Sequence, residues 1–197
     1  MNRYEKFWNW LANNSSEIET LINSGQANSA AKLISKELDL ISPDISWEIG
    51  VKNDEVELVL SAQGDRALGK ILDEMFVDCP SIPKWKISRY KQPKSLSSLS
   101  KLIDAQGYHL ELENINVQVT LNPSNTKIDV VLISPDFNQI PSDQLYNFAF
   151  FILDGILGEK MVEEWIGKID VNVVENDSER ILLSDLPEFM SELIEGL

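Results

Sequence analysis

Between Ile45 and Ile87 the spacing of the apolar residues changes from two to 3.6 and back again, and few folds accept that order. Ile45, Trp47, Ile49 and Val51 alternate with Ser46, Glu48, Gly50 and Lys52, the period of a half-buried strand. Asn53-Asp54 supplies a turn, and Val56, Leu58 and Leu60 begin a second alternation. Leu68, Ile71, Leu72, Met75 and Phe76 then recur at i, i+3 and i+4, one face of an amphipathic helix. Pro80 and Pro83 end it, Trp85 and Ile87 resume the period of two, and Lys91-Gln92-Pro93-Lys94 closes the third strand.

The same order returns later in the chain. Ile115, Val117, Val119 and Leu121 alternate with polar residues, Asn122-Pro123-Ser124-Asn125 turns the chain, and Ile128, Val130 and Leu132 start another strand. Pro141-Ser142-Asp143 starts a helix, with Ser142 as its expected cap. Leu145, Phe148, Ala149, Ile152, Leu153 and Ile156 form its core face. Tyr146, Phe150 and Phe151 widen that face, so the helix should be buried on two sides, and Gly158 ends it. Ile169, Val171 and Val173 then read as a strand. Residues 45–91 and 115–174 are thus two strand–strand–helix–strand halves with a common pattern and negligible identity.

The expected fold is α+β: a single domain over residues 1–197, with a mostly antiparallel sheet of about six strands from two β-β-α-β units. Helices pack on one side of the sheet. Helical segments over 3–41 and 185–197 cover the remaining apolar surface. In the first of these, Tyr4, Phe7, Trp8 and Leu11 share a face and Trp10 points away from it. Asn13-Asn14-Ser15-Ser16 breaks that helix and caps a second one, and Ala27 to Ile41 forms another. Leu186, Phe189, Met190, Leu193, Ile194 and Leu197 line the last helix. The serine-rich run Ser95 to Ser100 is the expected linker.

Charge narrows the function classes. The net charge is −15 with seventeen bases and thirty-two acids, which repels phosphates and anionic membrane surfaces. Neither nucleic acid nor membrane is an expected partner. No apolar run approaches the roughly 20 residues that span a bilayer. The start lacks a secretory apolar stretch, so the expected location is the cytoplasm, and the single Cys79 agrees with that. The charge is uneven. Residues 79–103 hold six bases and no acid, which suits an edge strand guarded by lysines ahead of a binding patch, or bases that pair with the acidic C-terminal part of the same chain. Residues 154–197 hold twelve acids and three bases.

No catalytic signature stands out. One histidine, His109, and one cysteine exclude multi-histidine and Cys-x-x-Cys zinc sites. Cys79 follows Asp78 at a helix end, where an acid and a helix C-terminus both raise a thiol pKa. No phosphate-binding glycine loop or nucleophile elbow is present. Ser61-Ala62-Gln63-Gly64-Asp65 is the nearest approach to an anion-binding loop, and it reads better as a turn with Asp65 at a helix start. Acids cluster at Asp73/Glu74, Glu163/Glu164 and Glu175/Asp177/Glu179, but two carboxylates hydrolyse glycosides or hold magnesium only when they converge in a cleft. The residue types point to no catalytic group, no cofactor and no metal ligand.

Several blocks resemble an uncharacterised family of bacterial cytoplasmic proteins. They are Phe7-Trp8-Asn9-Trp10, Trp47-Glu48-Ile49-Gly50, Leu60-Ser61-Ala62-x-Gly64, Trp85-x-Ile87-x-x-Tyr90-Lys91-Gln92-Pro93, and Leu153-Asp154-x-x-Leu157-Gly158-Glu159 with the residues that follow to Ile169. The resemblance covers about residues 7–170 and implies no activity. Some small acidic proteins of this look act as immunity proteins in bacterial toxin systems, an analogy of type only. The leading expectation is therefore a non-enzymatic, immunity-like protein-binding domain whose acidic surface meets a basic protein. Trp10, Asp154, Glu159, Glu163 and Glu164 are the expected contact residues, the acids being taken as exposed. The alternative is a hydrolase or metal-dependent enzyme with carboxylates in a cleft between the two halves. A homodimer through a second apolar face (Val59, Val131, Ile133) is compatible with either.

Overall fold

The computed structural model describes residues 1–124, 126–174 and 179–196. Asn125 of the second turn, Glu175 and Asp177 of an acidic cluster, and Leu197 of the last helix lie outside the described residues. The fold is α+β, with seven α-helices and seven strands among the described residues. The chain divides into two compact units, residues 1–91 and 92–197, each with its own hydrophobic core.

The first unit opens with α1 (Arg3–Asn23) and α2 (Ala27–Leu38). Asn2 caps α1: its side chain accepts from the Glu5 N–H while the Glu5 carboxylate accepts from the Asn2 N–H. The expected break at 13–16 does not occur. Asn14 Nδ2 donates to the Trp10 carbonyl at 2.7 Å, Ser15 Oγ to that of Ala12 at 3.0 Å and Thr20 Oγ1 to that of Ser16 at 2.8 Å. Side chains that could have capped a new helix bond back along the existing one. The apolar stripe Phe7, Trp8, Leu11, Ile18 runs straight through.

The hairpin β1 (Ser46–Lys52) and β2 (Glu55–Ser61) is antiparallel, with Trp47 opposite Leu60 and Ile49 opposite Leu58. Asn53 and Asp54 both have positive φ, 52° and 63°, the two-residue turn whose twist matches a hairpin. After α3 (Arg66–Phe76), β3 (Trp85–Arg89) runs parallel to β2, Leu58 opposite Ile87. Val56, Leu58 and Leu60 pack with the buried residues of α1, α2 and α3 in one cluster. The indole N–H of Trp8 reaches the Met75 carbonyl at 2.7 Å, and that of Trp85 reaches Glu19 Oε1 at 2.8 Å, so both large rings are buried with their polar atoms satisfied. Three bases of the 79–103 stretch meet acids of this same unit rather than the C-terminal acids expected: Lys86 with Glu57, Arg89 with Asp73 and Lys91 with Glu48. β3 is an edge strand.

The second unit repeats the plan. α4 (Leu96–Asp104) precedes the antiparallel hairpin β4 (Asn116–Asn122) and β5 (Lys127–Ile133). α5 (Leu145–Leu157) and α6 (Glu159–Trp165) lead to β6 (Ile166–Asn172), parallel to β5. A two-residue strand, β7 (Ile181–Leu182), pairs with β4 on its other side, and α7 (Leu186–Glu195) closes the chain. The strand order is β6-β5-β4-β7. Each unit therefore reads helix, hairpin, helix, parallel strand.

The sheet expectation needs correction in its detail. There are two mixed sheets, of three and four strands, and each holds one parallel pair. A helix between the second and third strands returns the chain to the end from which it came, so the third strand runs with the second. Ser95-to-Ser100 is no linker: Ser95 caps α4 by accepting from the Ser98 N–H, and Leu99 and Ile103 enter the core. Ser142 does not cap α5, which starts at Leu145 after a turn closed by Gln144 N–H to the Pro141 carbonyl. Ile133 is fully buried within the chain, so it offers nothing to an exposed apolar face.

Gly158 joins α5 to α6 at φ 83° and ψ 147°, a conformation that only glycine adopts without strain. Gly158→Ala should lower stability by about 1–3 kcal/mol, read as an earlier urea midpoint with an unchanged m-value.

Candidate functional site

The elbow at Gly158 carries four of the five expected contact residues. Six consecutive residues of α5, Ile152 to Leu157, are buried, because this end of the helix is covered all round; its start is not, and Tyr146, expected on the widened core face, is 58% exposed. Asp154 sits inside that run at 7% exposure. Glu159, in the first turn of α6, is 1% exposed. These two are the buried charged residues among those described, and both are engaged in interactions within the chain. The expectation that they are exposed is thus wrong: the apolar surroundings of Asp154 decide its place, and so does the turn at Gly158 for Glu159. Glu163 is half-buried. Glu164 alone of the four is exposed, with Lys160 Nζ 3.8 Å from its carboxylate.

The packing that holds the elbow is close. A Cβ on Gly155 would lie 2.6 Å from Leu99 Cδ1, so this glycine lets α4 approach α5. Lys94 N–H donates to the Gly155 carbonyl at 2.7 Å. The far end of α6 is held by Lys127, whose ammonium donates to the carbonyls of Glu163 (3.1 Å) and Glu164 (2.6 Å). A cation there satisfies the last carbonyls and suits the negative end of the helix dipole. Sequence reasoning passes over Lys127, since its partners lie some forty residues away on another element.

Next to it is an irregularity in β6. Ile166 pairs with Ile128 and Ile169 with Val130, so Gly167 and Lys168 together oppose Asp129. The Asp129 carboxylate accepts the spare Lys168 N–H at 2.8 Å, and a Cβ on Gly167 would lie 2.6 Å from that oxygen. The Lys168 ammonium donates to Asp170 at 2.6 Å, and that bond raises its pKa.

The remaining candidates lie elsewhere in the chain. Trp10 is half-buried on the first unit, its ring 6.1 Å from that of Phe7. In the 61–65 loop, Asp65 caps α3 by accepting from the Ala67 and Leu68 N–H groups, so its own carboxylate fills the helix N-terminus. His109 is exposed, with Nδ1 2.8 Å from Asp104. Among the described residues, no group of three or more His, Cys, Asp or Glu is placed to hold a metal ion. No helix among them is long and apolar enough to cross a membrane. Comparison of the chain with protein-family models, with curated proteins and with solved structures gives no significant match.

Burial raises the Cys79 thiol from 9.0 to about 11, the direction expected from its neighbours but with a different cause. The native thiol should react slowly with a disulfide reagent at pH 8 and reach half-maximal rate near pH 11. A thiol whose pKa is raised on folding favours the folded state fully below pH 9 and loses that advantage between 9 and 11. Cys79→Ala should therefore flatten the fall in stability over that window, measured as Tm against pH beside the wild type.

Proposed function

We propose that the protein is a non-enzymatic, immunity-like binding module of the bacterial cytoplasm whose partner is a basic protein. The observation that carries this reading is the division of charge between the units. Residues 1–91 hold fourteen acids and eleven bases, a net of −3, whereas residues 92–197 hold eighteen acids and six bases, a net of −12. A charge of that size on a unit of about a hundred residues is more than solubility requires. It steers a cationic partner and repels nucleic acid and anionic lipid. Exposed Glu164 and half-exposed Glu163 suit direct contact, while Asp154 and Glu159 serve the elbow that presents them. Trp10 belongs to the first unit and is assigned to packing.

One observation favours a second reading. Among the described residues, the two buried charged ones are both acids, on either side of one glycine, which is the raw material for carboxylate chemistry. The two readings separate experimentally. Tagged protein is incubated with cell extract at low salt, eluted by a salt step and the eluate read by mass spectrometry. The binding reading expects one basic protein released sharply by salt. An empty lane, together with a thermal shift on adding magnesium or manganese that Glu159→Gln abolishes, would establish the enzyme reading instead.

A further inference from the structure

We infer that the outer edge of β1 pairs with the same edge of a second copy of this chain, the two strands running antiparallel about Ile49. β1 is an edge strand of its sheet, and every residue of the first unit is described. The Val56 N–H donates to the Lys84 carbonyl at 2.8 Å and the Tyr90 N–H to the Leu60 carbonyl at 3.1 Å, so the backbone groups of Val56, Leu58 and Leu60 face β3. Those of Glu55, Glu57, Val59 and Ser61 face β1, where they oppose Lys52, Gly50, Glu48 and Ser46 as the hydrogen-bonded pairs of the hairpin. The N–H and carbonyl groups of Trp47, Ile49 and Val51 therefore point out of the sheet. None of them has a main-chain or side-chain partner among the described residues. Gly50, Val51 and Lys52 are exposed, and a Cβ on Gly50 would meet nothing within 4 Å.

This edge is complementary to itself. Trp47, Ile49 and Val51 share the face of the core residues Leu60, Leu58 and Val56, yet Trp47 and Ile49 are only half-buried and Val51 is 47% exposed, because no strand carries the core beyond them. About a two-fold axis at Ile49, Trp47 of one copy lies opposite Val51 of the other and Ile49 opposite Ile49. Every outward backbone group then bonds, and three apolar pairs close over the exposed rim. On the other face Glu48 meets Gly50 of the second copy, which has no side chain to crowd it, and Lys52 of that copy lies on the diagonal within reach. Opposite charges come together, and no two like charges stand opposite each other along the paired strands. Glu48 is half exposed while 3.8 Å from Lys91, so it can take the second cation without giving up the first. With one acid and one base, β1 carries no net charge and so gives no preference to a basic or an acidic foreign strand, whereas its own copy matches it residue by residue. One strand pair is a small interface, so the dimer forms only at high concentration. The inference is independent of the basic-partner reading, which rests on the charge of residues 92–197.

Sedimentation velocity and amide-resolved hydrogen exchange of the intact protein, from micromolar to near-millimolar concentration, test it. A monomer is expected at the dilute end and a dimer at the other. The Trp47, Ile49 and Val51 amides should exchange freely in the monomer and at least tenfold more slowly in the dimer, while those of Glu48 and Gly50 are protected in both. Val51→Lys, at an exposed position, should abolish the dimer and leave the Tm of the dilute protein unchanged. Gly50→Lys places a cation opposite Glu48 of the second copy, in open space, and should tighten the dimer severalfold. A monomer at every concentration, a dimer in which the three amides still exchange freely, or their protection already in the dilute monomer would each overturn the proposal. So would an undiminished dimer of Val51→Lys or a weakened one of Gly50→Lys. Protection of the three amides only on adding cell extract would overturn it too, and would give the edge to a different protein.

Discussion

Everything in each unit depends on the pairing of one middle strand on both sides. β2 has an antiparallel neighbour in β1 and a parallel one in β3, and β5 has the same in β4 and β6. One face of each carries fully or almost fully buried residues: Val56, Leu58 and Leu60, then Ile128, Val130 and Leu132. A strand bonded along both edges and buried on one face cannot slip register, because a one-residue slip would turn every one of those side chains outward. The helices are arranged around this requirement. Each unit needs a helical crossover to carry the chain back for the parallel third strand, α3 in the first and α5 with α6 in the second, and the helices before the hairpin join the same core.

Polar groups hold the parts that packing alone would leave loose. Trp8 and Trp85 each fill a core position and tie one element to another through the indole N–H. Arg3 donates to the Ile41 carbonyl, its other nitrogen to the Tyr4 hydroxyl, and Tyr4 in turn to Glu74, a chain that links the start of α1 to the segment after α2 and to the last turns of α3. In the second unit, Lys127 and Asp129 on one strand hold the end of α6 and the bulge that follows it. The elbow at Gly158 is thus set from both sides, by the close approach of Leu99 to Gly155 and by Lys127 beyond it.

Much of this was legible from period and turn chemistry. The two-to-3.6-to-two alternation marks the strand, strand, helix, strand order in both halves, and Asn53-Asp54, Asp65 and Gly158 act at the junctions expected of them. Strand direction was not legible, because it follows from how a crossover returns and not from any residue. Asn13-Asn14-Ser15-Ser16 and Ser95 to Ser100 misled because serine and asparagine serve helices as well as breaks and linkers: Asn14 and Ser15 bond back along α1, and Ser95 caps α4. For the elbow, the signal was present and read the wrong way. A lone aspartate inside Phe150-Phe151-Ile152-Leu153-Asp154-Gly155-Ile156-Leu157 sits on a helix already read as buried on two sides, and the structure buries the aspartate with it.

The central claim is that each unit is keyed by its own middle strand. Hydrogen exchange of the native protein at a series of low urea concentrations tests it directly. The account predicts two sets of slowest amides, one within Val56–Leu60 and one within Ile128–Leu132, each outlasting the flanking strands and helices of its unit. Exchange of either middle strand together with its hairpin turn, or earlier than the α1 and α5 amides around it, would contradict the account.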